Sequence, residues 1–326
     1  MAELALVQSI NLALHRGMAE YPEMVVLGED VAGNGGVFRA TLGLLDHYGP
    51  RRVLDTPLAE SMIAGLCVGM ASQGLKPVAE IQFMGFMYAA LEHVCSHAAR
   101  LRHRTQGRLS CPLTLRIPCG GGIHAPEHHS ESLEALLTHI PGLKVVCPSS
   151  PRLGYQLLLA AIADPDPVIF LEPERLYRAP LQSCPDDGLS LPLERCLIHR
   201  RGEDLSIISW GACVQDVRQA ADILHQAGIE AEIVDVATLK PLDRASLKAS
   251  VAHTGRCLIV HEAPGSGGLG AEIAAWLGEN LWSELHAAPR RLTGFDCIMP
   301  YARLEDRYLP SVQDIVDAAR ALVEGV

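Results

Sequence analysis

Short β-rich runs alternate with helically patterned stretches along nearly all of the 326 residues. Parallel strands need a long crossover, and a helix usually supplies it, so this alternation points to parallel sheets covered by helices. In the first half, strand patterns fall at Met24–Leu27, Arg52–Leu54, Pro77–Ile81, Leu113–Ile117, Lys144–Cys147 and Val168–Leu171. Helical patterns fit between them at Glu3–Glu20, Glu60–Gly74, Met87–Arg104, Ser132–His139 and Leu153–Ala163. A break follows, where Pro173, Pro180, Pro185 and Pro192 surround Asp186-Asp187-Gly188. The pattern then restarts, with strands at Leu205–Ser209, Glu232–Val236, Cys257–Val260 and Arg291–Gly294. Helices fall at Val214–Ala227, Arg244–His253, Gly268–Glu279 and Val312–Val323. The fold class is α/β. The expected organisation is two parallel-sheet domains, 1–185 and 186–326, as the length also suggests.

A formal net charge of -11 argues against nucleic acid as a partner, because phosphate neutralisation needs clustered cations. The local cluster of Arg100, Arg102, His103, Arg104 and Arg108 reads as a solvated face or an anion contact. Ten cysteines without CxxC spacing suit buried free thiols in a reducing compartment. No apolar run reaches membrane-spanning length, and the N-terminus enters a helical pattern without a signal core. A bacterial cytoplasmic location is expected.

Four motifs carry candidate chemistry. Glu60 lies on a strand-to-helix turn, Asp55-Thr56-Pro57-Leu58-Ala59-Glu60-Ser61, ahead of a buried helix. It can cap that helix or hold a ligand, since amides and charges meet at such turns. Gly265-Ser266-Gly267-Gly268-Leu269-Gly270 matches a dinucleotide fingerprint, yet comes late in its domain, and Arg290-Arg291 opens the next strand. A glycine turn for close helix packing fits it better. His93 and His97 stand four apart on a helix, without the glutamate of a zinc protease. The segment Gly120-Gly121-Gly122-Ile123-His124-Ala125-Pro126-Glu127-His128-His129-Ser130-Glu131 differs from these. It puts titratable groups on a mobile loop at the carboxyl edge of a sheet, where open α/β folds bind ligands.

Taken together, Gly28–Val31, the Asp55–Ser61 turn, Ala79–Phe86, Gly120–Glu131, His139–Pro151 and Asp164–Glu172 resemble one family. It is the beta subunit of the thiamine-diphosphate-dependent 2-oxo-acid dehydrogenases, and the resemblance is greatest to the bacterial pyruvate dehydrogenase type. Leu176–Ala179 is shared with branched-chain relatives, and His139–Pro151 is also close to acetoin dehydrogenase. The resemblance implies a transketolase-like pyrimidine-binding domain followed by a transketolase C-terminal-like domain. It implies oxidative decarboxylation of pyruvate with acetylation of a lipoyl group. Branched-chain 2-oxo-acid or acetoin dehydrogenase is the near alternative, and a non-catalytic assembly subunit is the alternative of another class.

By the same resemblance, Glu60 is the carboxylate that hydrogen-bonds the cofactor's aminopyrimidine. A carboxyl in that role needs a raised pKa, so burial must outweigh the helix N-terminus. Phe86 packs on the ring, while Glu29, Leu58 and Gln82 line the pocket. His129 handles protons during transfer to lipoyl, and His128 occupies a variable position. Leu113, Ala161, Ile162, Asp164 and Asp166 fall where some members bind potassium, largely through backbone carbonyls.

The chain lacks the Gly-Asp-Gly and Asn-Asn pair with which this superfamily holds magnesium and diphosphate. The resemblance therefore implies an alpha subunit that holds magnesium, in an α2β2 heterotetramer with a shared active site. It also implies that the C-terminal domain dimerises. The acids Asp314, Asp317 and Glu324 would meet the basic subunit-binding domain of a lipoyl acyltransferase.

Overall fold

Three sheets organise the chain in a computed structural model that describes residues 3–325. Residues 1, 2 and 326, at the outer ends of the two expected domains, lie outside the described residues. The first half supplies β1 (Glu3–Leu4), β2 (Met24–Gly28), β3 (Val53–Asp55), β4 (Lys76–Glu80), β5 (Thr114–Cys119), β6 (Lys144–Val146), β7 (Val168–Pro173) and β8 (Gln182–Ser183). The second half supplies β9 (Leu197–Arg200), β10 (Leu205–Ser209), β11 (Ala231–Asp235), β12 (Thr238–Lys240), β13 (Cys257–Pro264) and β14 (Arg290–Gly294).

Seven strands pair in the order β12-β6-β7-β5-β4-β2-β3, and five in the order β14-β13-β10-β11-β9. Pairing is parallel except at β12 and β9, the antiparallel edges. The short pair β1-β8 brings the start of the chain to the connection between the halves. Strands β2, β5, β7, β10 and β11 are buried along their whole length, as expected of strands covered on both faces. The halves are not separate in the core. One apolar cluster runs from Ile63 and Leu115 through Cys147 and Leu171 to Trp210, Val234 and Leu269. Strand β12 crosses as well, adding second-half residues to the edge of the first-half sheet.

The first-half helices are α1 (Leu6–Glu20), α2 (Leu44–Tyr48), α3 (Glu60–Ser72), α4 (Met87–Leu91), α5 (Leu101–Arg104), α6 (Glu134–His139) and α7 (Pro151–Ala163). The second half adds α8 (Cys213–Gln226), α9 (Arg244–Thr254), α10 (Leu269–Asn280), α11 (Ala302–Tyr308) and α12 (Val312–Glu324). Local chemistry sets several starts. Pro151 opens α7 behind Ser150, whose side chain accepts from the Leu153 amide. Ser311 and Asp314 form a capping box on α12, which buries Ile315, Val316, Ala319 and Leu322.

Two helical expectations change. The single helix expected over Met87–Arg104 is α4, a π-helical stretch at Glu92–His97, a 3-10 turn at Ala98–Arg100 and then α5. His93, in the π stretch, packs its ring against Gly65 of α3. Helix α3 was expected to be buried, but only Ile63, Ala64, Cys67 and Ala71 are covered. Its other face exposes Met62 and Leu66, at 42% and 43% of their surface. An apolar helix that keeps one apolar face in water is ordinarily completed by another chain.

Candidate active site

The carboxyl ends of β2, β3, β4 and β5 lie side by side, and the candidate residues follow directly from them. Glu29 continues β2, while Asp55 ends β3 and accepts the amides of Ala32 and Gly33 at 2.7 and 3.1 Å. The Thr56 amide bonds the Gly28 carbonyl at 2.9 Å, which ties the two strand ends together. Glu60 is the first residue of α3, on a turn with no side-chain cap, and is only partly buried. Leu58 is 81% exposed.

The buried acid at this corner is Glu29 rather than Glu60. Glu29 is 6% exposed, and Oε1 has no hydrogen-bond partner among the described residues. Burial, then the neighbouring charge of Glu60, holds its carboxyl above the usual range, against the opposing amide of Ala59. Burial thus falls on the neighbour of the residue for which it was expected. Gln82 reaches the Glu29 carbonyl from the end of β4, at a long 3.5 Å.

The turn after Gln82 makes an aromatic wall. Phe83 packs edge-on against Phe86 at 5.8 Å between centroids, and His129 packs edge-on against both, at 4.3 and 5.4 Å. Nδ1 of His129 is buried without a partner among the described residues. His128 is exposed, 5.3 Å from Phe86. Both histidines sit on a 3-10 turn, Glu127–His129, that closes over the 83–86 turn. Gly85 permits this, because a Cβ there would lie 2.2 Å from the His128 carbonyl oxygen. The structure therefore brings Glu29, Gln82, Phe86 and His129 into one chain of neighbours, with Glu60 beside Glu29 and Leu58 on the open rim.

Beneath the wall, Arg116 of β5 is fully buried between two glutamates. It donates to Glu80 at 2.8 Å and to both oxygens of Glu172 at 2.7 and 2.9 Å. The Tyr177 hydroxyl completes Glu172 at 2.6 Å. Burial pushes the Glu80 carboxyl up, Arg116 pulls it back and Glu172 adds repulsion. No local motif marked this triad, because its members come from three strands that are neighbours only after the sheet forms.

The five potassium positions form a corner rich in its own cations. Lys144 holds Asp164 at 2.6 Å, Arg102 holds Asp166 at 2.6 Å, and Lys76 donates to the Ile162 carbonyl at 3.1 Å. The carbonyls of Ala161 and Leu113 accept the amides of Asp164 and Val168. The two carboxylates are thus paired within the chain, and a potassium ion here would rest mainly on the remaining lone pairs of the backbone carbonyls.

The turn Gly265–Gly270 links β13 to α10, with Gly268 as the helix cap. His261 lies beneath it, packed against Gly268 and Gly270 and stacked on Trp210 at 5.0 Å. Close packing of helix on strand accounts for these glycines. All ten cysteines are free, and Cys297 is the exposed one. Among the described residues, no helix is long and apolar enough to cross a membrane.

Known proteins resemble the chain over nearly its whole length. Residues 2–180 match the transketolase pyrimidine binding domain, and residues 194–315 match the transketolase C-terminal domain. The fold superposes on a split gene transketolase, described as an inactive beta4 tetramer, with a TM-score of 0.81 over 99% of both chains. At 22% identity that likeness speaks to fold alone. The pyruvate dehydrogenase E1 component subunit beta of Acholeplasma laidlawii is 45% identical, covering 99% of both chains. The protein of the same name from Bacillus subtilis is 43% identical over 99% of this chain and 100% of its own. By full-length identity at this level, the chain belongs to the family of pyruvate dehydrogenase E1 component beta subunits.

Proposed function

We propose that this chain supplies the aminopyrimidine-side half of a thiamine-diphosphate site that oxidatively decarboxylates pyruvate and acetylates a lipoyl group. The observation that carries the reading is the pair of the buried Glu29 with the half-buried Glu60, beside an aromatic wall that holds a histidine nitrogen without a partner among the described residues. Glu29 Oε1 and His129 Nδ1 are buried polar atoms that a ring with amino and imino nitrogens would satisfy, so the residues fit the cofactor. When bound, thiamine diphosphate supplies the electron sink that loss of carbon dioxide from a 2-oxo acid requires.

The chain's own residues do the rest. Glu60 holds or moves a proton at the aminopyrimidine. Glu29, its carboxyl held above the usual range by burial and by the neighbouring Glu60, stands behind it in the pair. Phe83 and Phe86 exclude water from one side, and Gln82 and Leu58 border the ring. His129 exchanges a proton with the group that enters beside Phe86.

Magnesium and the diphosphate fall to an alpha subunit, since the residues for them are missing here. The open rim at Leu58 and the apolar face of α3 suit burial against that subunit in an α2β2 assembly. Residues 1–185 form the pyrimidine-binding domain, and 186–326 the domain that dimerises. The acids of α12 meet a lipoyl acyltransferase. Potassium would rest on the carbonyls of Leu113, Ala161 and Ile162 with Asp164 and Asp166, away from the reacting groups.

The test is to co-express the chain with its alpha partner and assay pyruvate decarboxylation with an artificial electron acceptor. Glu60→Gln is expected to lower kcat by about 10²–10⁴, the usual worth of a positioned acid or base. Wild-type turnover in that variant would remove Glu60 from the mechanism. Turnover of 3-methyl-2-oxobutanoate equal to that of pyruvate would overturn the assignment of pyruvate as substrate.

A further inference from the structure

The Gly120–Glu131 loop carries His129, yet its glycine-rich arm is held by the second half of the chain. The loop closes on itself where the Gly120 amide donates to the Glu131 carbonyl at 2.9 Å. Its histidine end rests on the 83–88 segment, through Phe83, Phe86 and a 3.1 Å bond from the Tyr88 hydroxyl to Glu131. Its glycine end meets α11. The Gly122 amide donates to Oε1 of Glu305, and Nδ1 of His124 lies 3.0 Å from Oε2 of the same carboxylate. Glu305 is fully buried, although the His124 side chain is half exposed.

The three glycines belong to this contact. A Cβ on Gly120 would fall 1.9 Å from Oε1 of Glu262, and one on Gly122 would fall 2.3 Å from the Arg175 side chain. On Gly121 it would press on Met299 and Glu305. Glu262, at the end of β13, also accepts the Ser132 hydroxyl at 3.2 Å, just past the other end of the loop. The arm lies flat on Glu262, Met299 and Arg175 because it has no side chains there, and Glu305 supplies the acceptor that fixes it. Glu174 beside it is pushed up to about 9, by burial first and then by Glu262 and Glu305.

We propose that Glu305 is a positioning residue for acyl transfer: from α11 it latches the glycine arm of the loop and so sets where His129 stands. The inference rests on the reading of His129 as the proton-handling group. Its structural half, the latch, does not depend on that reading.

The experiment uses the assembled α2β2 enzyme with Glu305→Ala and Glu305→Gln. Glutamine keeps an acceptor for the Gly122 amide but loses the charge facing His124. Amide hydrogen exchange over residues 120–131 is expected to rise tenfold or more in Glu305→Ala, with β2 and β7 unchanged, and to return toward wild type in Glu305→Gln. Acyl transfer to a lipoyl domain is expected to fall at least tenfold, and by more than decarboxylation with an artificial acceptor. Unchanged exchange over the loop in Glu305→Ala overturns the latch. Faster exchange with unaltered acyl transfer keeps the latch but overturns its positioning of His129, while His129→Ala with full acyl transfer would instead overturn the role of His129. If Glu305→Ala does not assemble, His124→Ala removes one latch contact from an exposed position. It is expected to raise loop exchange severalfold, and no rise overturns the inference.

Discussion

Replacing Arg116 with methionine leaves Glu80 and Glu172 facing each other in the core with no guanidinium between them. In the native protein that guanidinium makes three hydrogen bonds of 2.7–2.9 Å, two of them to one carboxylate, and all three groups are buried. Removing one partner of such a buried pair typically costs about 3–5 kcal/mol, because the remaining charge is neither solvated nor neutralised. For a unit of this size that corresponds to roughly 6–20 °C in Tm, at about 2–4 °C per kcal/mol.

The pH dependence separates this cause from a simple packing defect. Without Arg116, nothing offsets the burial that already pushes the Glu80 carboxyl up, so the folded state binds more protons than the unfolded one. Stability is then retained below the unfolded pKa and lost as pH rises through the folded pKa. The deficit against wild type should be smaller at pH 5 than at pH 8. Denaturant unfolding of Arg116→Met at both pH values measures it. Adding Glu80→Gln and Glu172→Gln should recover at least half of the loss at pH 8. A loss under about 1 kcal/mol, or a deficit that does not shrink in acid, would refute the electrostatic account.

Other consequences follow from single contacts. Gly85→Ala should displace the His128–His129 turn, because the added carbon meets a backbone oxygen at 2.2 Å. The expected cost is about 1–3 kcal/mol in an unfolding titration, together with loss of acyl transfer in the assembled enzyme. Leu66→Asp, on the exposed face of α3, should change the stability of the isolated chain by less than about 0.5 kcal/mol. It should nevertheless abolish co-elution with the alpha subunit on size exclusion, and unaltered co-elution would dismiss that face as the contact. In the isolated chain Cys297 should react first with a thiol reagent. Cys67, buried and with its thiol pushed well up, should stay silent until unfolding. Mass spectrometry of the partly labelled protein checks the order.

The alternation of strands and helices was legible in the chain because both periods leave a local record. Strand β2 and helix α7 lie within a few residues of their sequence patterns, for their apolar spacing and the Ser150-Pro151 start are local facts. Glu60 and His129 stood out by motif and Phe86 by the family resemblance, and the structure packs Phe86 and His129 together. The burial that distinguishes Glu29 from Glu60 was not, since it depends on which side chains the closed turns cover.

The short edge strands β9 and β12 went unread. Three or four residues carry too little periodicity, and their pairing with β11 and β6 alone defines them. The same holds for Arg116 with its two glutamates and for Glu305 on the glycine arm, separated from Gly122 by 183 positions. Sequence determined the layers, the turn chemistry and the residue types at the site, because those depend on near neighbours. Tertiary structure decided which acid is buried, which cation sits between carboxylates and which helix holds the loop. These depend on desolvation and distance between groups that no local pattern brings together.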